Sequence, residues 1–278
     1  MTRNKLKPQG NPTPQNKAIP QGKLTTVAIL TKPLTYLVTL ILLFALWYIA
    51  SVSLNQAMLP TPQETLTALA QLFDTHGLQT HLLASFNRVF LSILVSFILG
   101  VPLGLAIGYE PLLERFLSPL VYLLYPIPKI VFMPIIILFL GLGDMSKIFL
   151  IVFVLFFQVV VTTRDAVKKV PAETLDSFYA LGGKRHQTYF HVLWPAALAD
   201  VLTMLRQSVG MAMAVLFLAE TYATDLGLGF LIIDFKGRVE YDKMYATILV
   251  MAVLGVAFFM VIDLLEWRLC RWRRNRNT

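Results

Sequence analysis

Six apolar runs, at about 34–53, 86–108, 116–141, 146–163, 206–223 and 244–265, dominate this 278-residue chain. A helix needs roughly 20 mostly apolar residues to cross a bilayer, and most of the runs meet or approach that length. Inside hydrocarbon every backbone N–H and C=O must find a partner within the protein, so runs of this kind commit the chain to helices. The fold class that follows is all-α: an integral membrane protein with six transmembrane helices. Composition agrees, since 56% of residues are hydrophobic and 14% are charged, whereas soluble domains carry about 25% charged residues.

The basic residues set the expected orientation. Eighteen of the 24 Lys and Arg fall in four segments: six from Arg3 to Lys32, one at Arg115, six from Arg164 to Arg206 and five from Arg268 to Arg276. An even number of spans separates these segments, so all four lie on one face, and short basic segments resist translocation. That face is predicted to be cytoplasmic, with both termini inside. The arm 1–25, rich in Pro, Gln, Asn and Lys, is expected to be disordered. The first transmembrane helix, within 26–57, begins too late and runs too long for a cleaved signal peptide. Residues 271–278 form a basic tail. The net charge of +8 flanks the apolar runs and sits in no nucleic-acid-binding module, which argues against nucleic acid as a partner and for the lipid bilayer. Cys270 is the only cysteine, so no disulfide framework or cysteine metal site forms within one chain. On the opposite face, Glu64, Leu66, Leu69 and Leu72 after Leu59-Pro60-Thr61-Pro62 predict a short amphipathic helix within 54–82. A second outer loop holds 225–243.

Within the spans, Gly100, Gly104 and Gly108 recur every fourth residue and present a smooth face for close packing by an unspecified helix. Pro126, Pro128 and Pro134 interrupt the third run beside Lys129, a charge that costs about 2.5–3.5 kcal/mol at membrane depth. Lys129 has two readings, a place on a translocation path or a structural pairing. Glu220, near the outer end of the fifth run, has the same two: a pathway or gate, or a pair with Arg88. Asp263 and Glu266, beside Arg268 and Arg271, read as interfacial ion pairs.

The connector 164–205 is too long to be structureless in a compact protein. Pro171 suits a helix start, Glu173 and Asp176 place negative charge near it, and Leu175, Phe178, Tyr179 and Leu181 give an apolar stripe. Gly182 and Gly183 stop that helix, and a second pattern runs from Lys184 through Tyr189 and Phe190 to Pro195. The result is a helix, glycine hinge, helix elbow at 171–195.

The elbow resembles the signature of bacterial ABC importer permeases: Glu-Ala-Ala, then Gly after three residues, then a hydrophobic residue, any residue, Leu and Pro after nine more. Here Asp176-Ser177-Phe178, Gly182 and Val192-Leu193-Trp194-Pro195 keep the spacing. The triplet is degenerate and Trp194 stands for Leu, which makes Gly182 and Pro195 the firm matches. The resemblance extends over about 58–270, through Ser85-Phe86-Asn87-Arg88-Val89, Ile127-Pro128-Lys129, Gly141-Leu142-Gly143-Asp144 and Ala219-Glu220 before Gly227-Leu228-Gly229, and is to the nitrate, sulfonate and taurine type. It implies a five-helix type I permease core over 58–270 plus one N-terminal helix, in the bacterial inner membrane. It further implies a second permease copy in a homodimer, two cytoplasmic ATPases that hold ATP and Mg, and an extracytoplasmic solute-binding protein. Under it Asp176, Ser177, Phe178, Tyr179, Leu181, Gly182, Gly183, Lys184, Arg185 and Pro195 couple the chain to the ATPase.

Other chemistries fit less well. Gly141-Leu142-Gly143-Asp144 matches a motif of intramembrane aspartyl proteases, but no upstream span supplies the second carboxylate. No phosphate-binding Gly-x-x-x-x-Gly-Lys-Ser/Thr occurs, so the chain is read as non-catalytic. His186 and His191, five apart with no cysteine near, read as surface residues and give no metal site. The alternative is a secondary transporter working without an ATPase, for which the chain lacks a convincing internal repeat.

Overall fold

The computed structural model describes residues 24–54, 58–74, 77–222 and 224–271, in two units, 1–54 and 55–278. The first unit contains α1 (Leu24–Leu54), whose stretch Leu37–Leu54 is long and apolar enough to cross a membrane. The expected disordered arm lies outside the described residues up to position 23, and so does the basic tail from 272.

In the second unit α3 (Gly77–Tyr109), α6 (Asp144–Lys168), α9 (Trp194–Glu220, continuous with the helical turns from Arg185) and α11 (Tyr241–Leu269) are each long enough to span. The third run is a bent pair: α4 (Pro111–Leu124) and, after a 3₁₀ turn at Lys129–Phe132, α5 (Met133–Leu140), meeting at 82°. Among the described residues five helices thus have the length and composition of spans, and the bent pair makes a sixth if it is counted as one. Pro126 and Pro128 cause the break, because neither donates a backbone bond. The carbonyls freed there are satisfied by Lys129, which is 8% exposed. Its Nζ donates to the carbonyl oxygens of Leu124 (3.2 Å), Tyr125 (2.9 Å) and Ile127 (3.3 Å).

One seam organises the bundle. The stripe Arg88, Ser92, Ser96, Gly100, Gly104, Gly108 on α3 faces Asp144, Ile148, Val152, Phe156, Val160, Arg164 on α6, each residue meeting the one 56 positions later. Arg88 pairs with Asp144 at 2.5 Å, and the Ser92 and Ser96 hydroxyls reach the carbonyls of Ile148 (3.2 Å) and Val152 (3.5 Å). A Cβ on Gly104 would lie 2.6 Å from Thr163 Cβ and 2.8 Å from the Val160 oxygen. The glycine face therefore packs on α6, with the two helices parallel and in register for five turns. The serines and glycines permit the backbones to come this close.

Three boundaries differ from the sequence expectation. The fifth span starts at Trp194 rather than 206, and at Arg185 if the helical turns leading into it are counted, which leaves 169–184 between it and α6. The polar residues that end the apolar run remain helical because they have partners: Asp200 takes Lys169 (3.2 Å) and Arg206 takes Asp263 and Glu266 (3.4 Å to the latter). Asp263 and Glu266 thus find a cation on α9, at Arg206. Second, the outer loop 225–243 contains a helix, α10 (Leu228–Gly237). Third, the amphipathic α2 (Pro62–Asp74) packs on α11 through Thr65, Ala68 and Leu72, while Leu66 of the predicted stripe is half exposed. A capping box starts it: the Thr61 N–H donates to Glu64 Oε2 (2.7 Å) and the Glu64 N–H to Thr61 Oγ1 (3.3 Å).

Candidate functional site

The elbow is built from α7 (Ala172–Ala180), a glycine turn, α8 (Arg185–Thr188) and a π turn (Tyr189–Leu193) that runs into α9. At the end of α7 the Gly183 N–H donates to the Phe178 oxygen (3.0 Å) and the Gly182 N–H to the Tyr179 oxygen (2.9 Å). With Gly182 at φ 85° this is a Schellman close, which an L side chain adopts only with strain. Gly183 lies directly under the Phe178 ring, leaving no room for a Cβ, and that ring also stacks on His191. The Lys184 N–H donates to the Gln187 side chain (2.9 Å) and starts the next helix. The π turn precedes Pro195, whose missing N–H removes one bond of the ladder, and the Trp194 N–H reaches back to Tyr189 instead.

The elbow is fastened to the junction of α3 and α4. Arg185 pairs with Glu110, whose other oxygen accepts from the Tyr189 hydroxyl (2.8 Å). Tyr179 hydrogen-bonds Tyr109 and also Thr188 (3.1 Å), and Tyr109 meets Tyr189 edge to face. The Tyr189 hydroxyl and then Arg185 hold the Glu110 carboxyl below its ordinary pKa. The ten sequence-predicted coupling residues therefore divide. Phe178, Tyr179, Gly183 and Arg185 shape and fasten the elbow, Gly182 turns it, and Pro195 opens α9. Asp176, Ser177 and Lys184 face solvent with Leu181, which is 89% exposed, and α7 has no buried residue. Phe190, 74% exposed, adds a second open apolar side chain.

At the far end of α3 lies a polar network around a cavity of about 940 Å³. Glu220, fully buried, accepts from Arg88 Nη1 (2.6 Å), the Ser85 hydroxyl (2.8 Å) and the Gly229 N–H (2.8 Å). The Gly227 N–H donates to His81 Nδ1 (3.0 Å) and the Leu228 N–H to Ser85 (2.9 Å), so three side chains cap the start of α10. A Cβ at Gly227 would lie 2.6 Å from a Glu220 carboxylate oxygen. Lys147, 1% exposed, donates to the oxygens of Leu142 (2.6 Å) and Gly143 (3.2 Å) and closes the turn after α5. Of the two pathway candidates, Lys129 is thus engaged at the helix break and Glu220 in the pair with Arg88.

Residues 100–271 match the family described as binding-protein-dependent transport system inner membrane component. The taurine transport system permease protein of Escherichia coli K12 is 31% identical over 238 residues, covering 84% of this chain and 86% of that one. The chain belongs to this family of ABC permeases. A second relative, the formylaminopyrimidine transport permease protein of Halalkalibacterium halodurans, is 27% identical over 237 residues, covering 85% and 94%. The fold resembles a chain of the inward-facing MetNI methionine ABC transporter with TM-score 0.58 at 16% identity, covering 69% of this chain and 96% of that one.

The permease's family match takes in the elbow, Lys129 and Glu220, while Arg88, Ser85 and His81 precede it. Sequence reasoning did not bring Ser85, His81 and Lys147 to the site. The available signal was the i, i+4 stripe itself, which continues from Gly108 back through Ser96 and Ser92 to Arg88 and so predicts that the charge lies on the packed face.

Proposed function

We propose that this permease is the transmembrane subunit of an ATP-driven importer for a small anionic or heterocyclic solute, such as a taurine-like sulfonate, delivered by an extracytoplasmic binding protein. Two copies of the chain form the path in the bacterial inner membrane, and both termini and the elbow face the cytoplasm. Two ATPase subunits dock on the elbows; ATP and Mg are held there and not by this chain.

The observation that carries this reading is the construction of the elbow. A docking helix must be exposed where it meets its partner and rigid where it meets its own bundle. Here α7 keeps no side chain buried and offers Leu181 at its tip. Behind it Glu110, Arg185, Tyr189, Tyr109 and Tyr179 fasten it to α3 and α4, and the π turn joins it to α9. A shift of the ATPases then moves α3, α4 and α9 together, and nucleotide selects between two packings of the bundle. The charged rim at Asp176 and Lys184 tunes orientation more than affinity.

A cross-linking experiment tests this. Leu181→Cys in a Cys270→Ser background, co-expressed with the neighbouring ATPase carrying single cysteines along its groove, is expected to cross-link with a yield that changes on adding ATP. Solute uptake by this chain without any ATPase would overturn the proposal in favour of secondary transport.

A further inference from the structure

The stretch 148–161 of α6 reads Ile-Phe-Leu-Ile-Val-Phe-Val-Leu-Phe-Phe-Gln-Val-Val-Val, and Gln158 is its one polar side chain. At 1.5 Å per residue it lies about 21 Å along the helix from Asp144 and about 9 Å from Arg164, within the apolar slab. The Gln158 carbonyl oxygen accepts from the Ser208 hydroxyl at 2.7 Å. Its nitrogen donates to the thioether of Met211 at 3.2 Å. A thioether is a weak acceptor, so this donor is held in place by a bond that a better acceptor displaces at small cost. The Gln158 side chain is partly buried, Met211 beside it is 50% exposed, and Gln207, four residues before Met211 on the same face of α9, is exposed. Gln207 also lines a groove of about 660 Å³ between α9 and α11, where Gly210 and Gly255 leave room.

An exposed amide at Gln207 beside a partly buried one at Gln158 does not suit lipid at this depth, because a polar group facing hydrocarbon forfeits its hydrogen bonds with water. From this placement, and resting on the importer reading above, we infer that the face of α6 and α9 carrying Gln158 and Gln207 lines the translocation path. Gln158 is its solute contact, donating an amide N–H to an acceptor oxygen of the passing solute. The solute class this recognises presents an acceptor oxygen to that donor, as a sulfonate does. One donor replacing a thioether contact gives a weak, transient site, which suits a path that must release what it binds.

The test has two arms. Single cysteines Gln158→Cys and Gln207→Cys in a Cys270→Ser background, in proteoliposomes with the ATPases, are treated with a charged, membrane-impermeant thiosulfonate reagent. Both are expected to react, with rates that change with nucleotide. Failure of both to react, while a lipid-soluble reagent modifies them, places this face in lipid and overturns the inference whatever the solute is. In the second arm Gln158→Leu is assayed with taurine. Uptake is expected to fall about tenfold, the loss of one hydrogen bond, while stimulation of the ATPase by loaded binding protein stays within twofold. Gln158→Asn should recover part of the uptake, and unchanged uptake in Gln158→Leu overturns the solute-contact role. If the wild type takes up no solute in an ATP-dependent way, the importer reading fails, and the labelling arm still decides whether the face is wet.

Discussion

Replacing Gly104 by alanine probes the α3–α6 seam at its tightest point. The new Cβ would sit 2.6 Å from Thr163 Cβ and 2.8 Å from the Val160 oxygen, about 0.8 Å and 0.6 Å inside ordinary van der Waals contact of roughly 3.4 Å. Neither neighbour can rotate away, because one is a Cβ and the other a backbone carbonyl. The helices must separate, and every contact along the registered stripe loosens with them. Overpacking of this kind costs about 1–3 kcal/mol, against which the better helix propensity of alanine returns about 0.5–1 kcal/mol. The expected net loss is about 1–2 kcal/mol, or about 2–8 °C at roughly 2–4 °C per kcal/mol for a chain of this size. Cys270 provides the assay, since it is the chain's single cysteine and is buried against Leu198, Ala199 and Leu202. A dye that fluoresces on reaction with thiols reports unfolding during a thermal ramp in detergent. Gly237→Ala, where a Cβ meets nothing within 4 Å, is the control and should change the midpoint by no more than a degree or two. Thr163→Gly in the Gly104→Ala background removes the 2.6 Å contact but not the one with Val160, so rescue should be partial and non-additive. Equal midpoints for Gly104→Ala and Gly237→Ala would show that the backbones do not approach as described.

Three further outcomes follow from the buried polar groups. Glu220→Ala leaves Arg88 with one carboxylate and strands the Gly229 N–H, and should destabilise the protein by about 3–5 kcal/mol; Glu220→Gln, which keeps the amide contact, should cost less in the same thermal assay. Lys129→Met strips the donor from the carbonyls at the α4–α5 break and should cost about 1–3 kcal/mol, with no change in the solute preference of the assembled transporter. The Glu110 latch has a defined pH response. Its carboxyl is depressed below the ordinary value by Tyr189 and Arg185, so the latch is at full strength above about 4.3, the value of free Glu, and is lost as pH falls through the lower folded value. The protection of 185–189 against hydrogen exchange, taken relative to the intrinsic rate at each pH, should therefore fall below that pH in the wild type, and be low and flat with pH in Glu110→Gln.

Much of the fold was legible because membrane solvation makes apolar length a strong signal. The glycine stripe declared a close contact, and the prolines around Lys129 declared a break. What the chain does not encode locally is which helix answers. Nothing around Gly100 to Gly108 names α6; the partner follows only from tertiary register. Nor does apolarity mark where a helix begins, since Asp200 and Arg206 end the apolar run but stay helical once Lys169, Asp263 and Glu266 neutralise them. The α10 sequence is short and bracketed by glycine, so neither its length nor its pattern separates a helix from a loop. The turn after it puts Val239 at φ 65°, a conformation β-branched residues avoid, where Gly237 is the residue a sequence reading would choose. In the elbow the residue types marked a hinge and an apolar stripe. That Phe178 is spent on Gly183, while Leu181 and Phe190 stay open, needed three-dimensional packing.

The most direct measurement is ATP-driven uptake by the permease reconstituted with its ATPases and loaded binding protein, comparing wild type with Gly182→Val. The left-handed turn at Gly182 then carries a β-branched side chain at a cost of about 1–2 kcal/mol. Because a Cβ there meets no neighbour within 4 Å, the bundle itself should fold and assemble. Expected is a complex that still hydrolyses ATP but imports at least tenfold less solute per ATP than the wild type. Uptake per ATP equal to the wild type would contradict the elbow's role as the mechanical coupling.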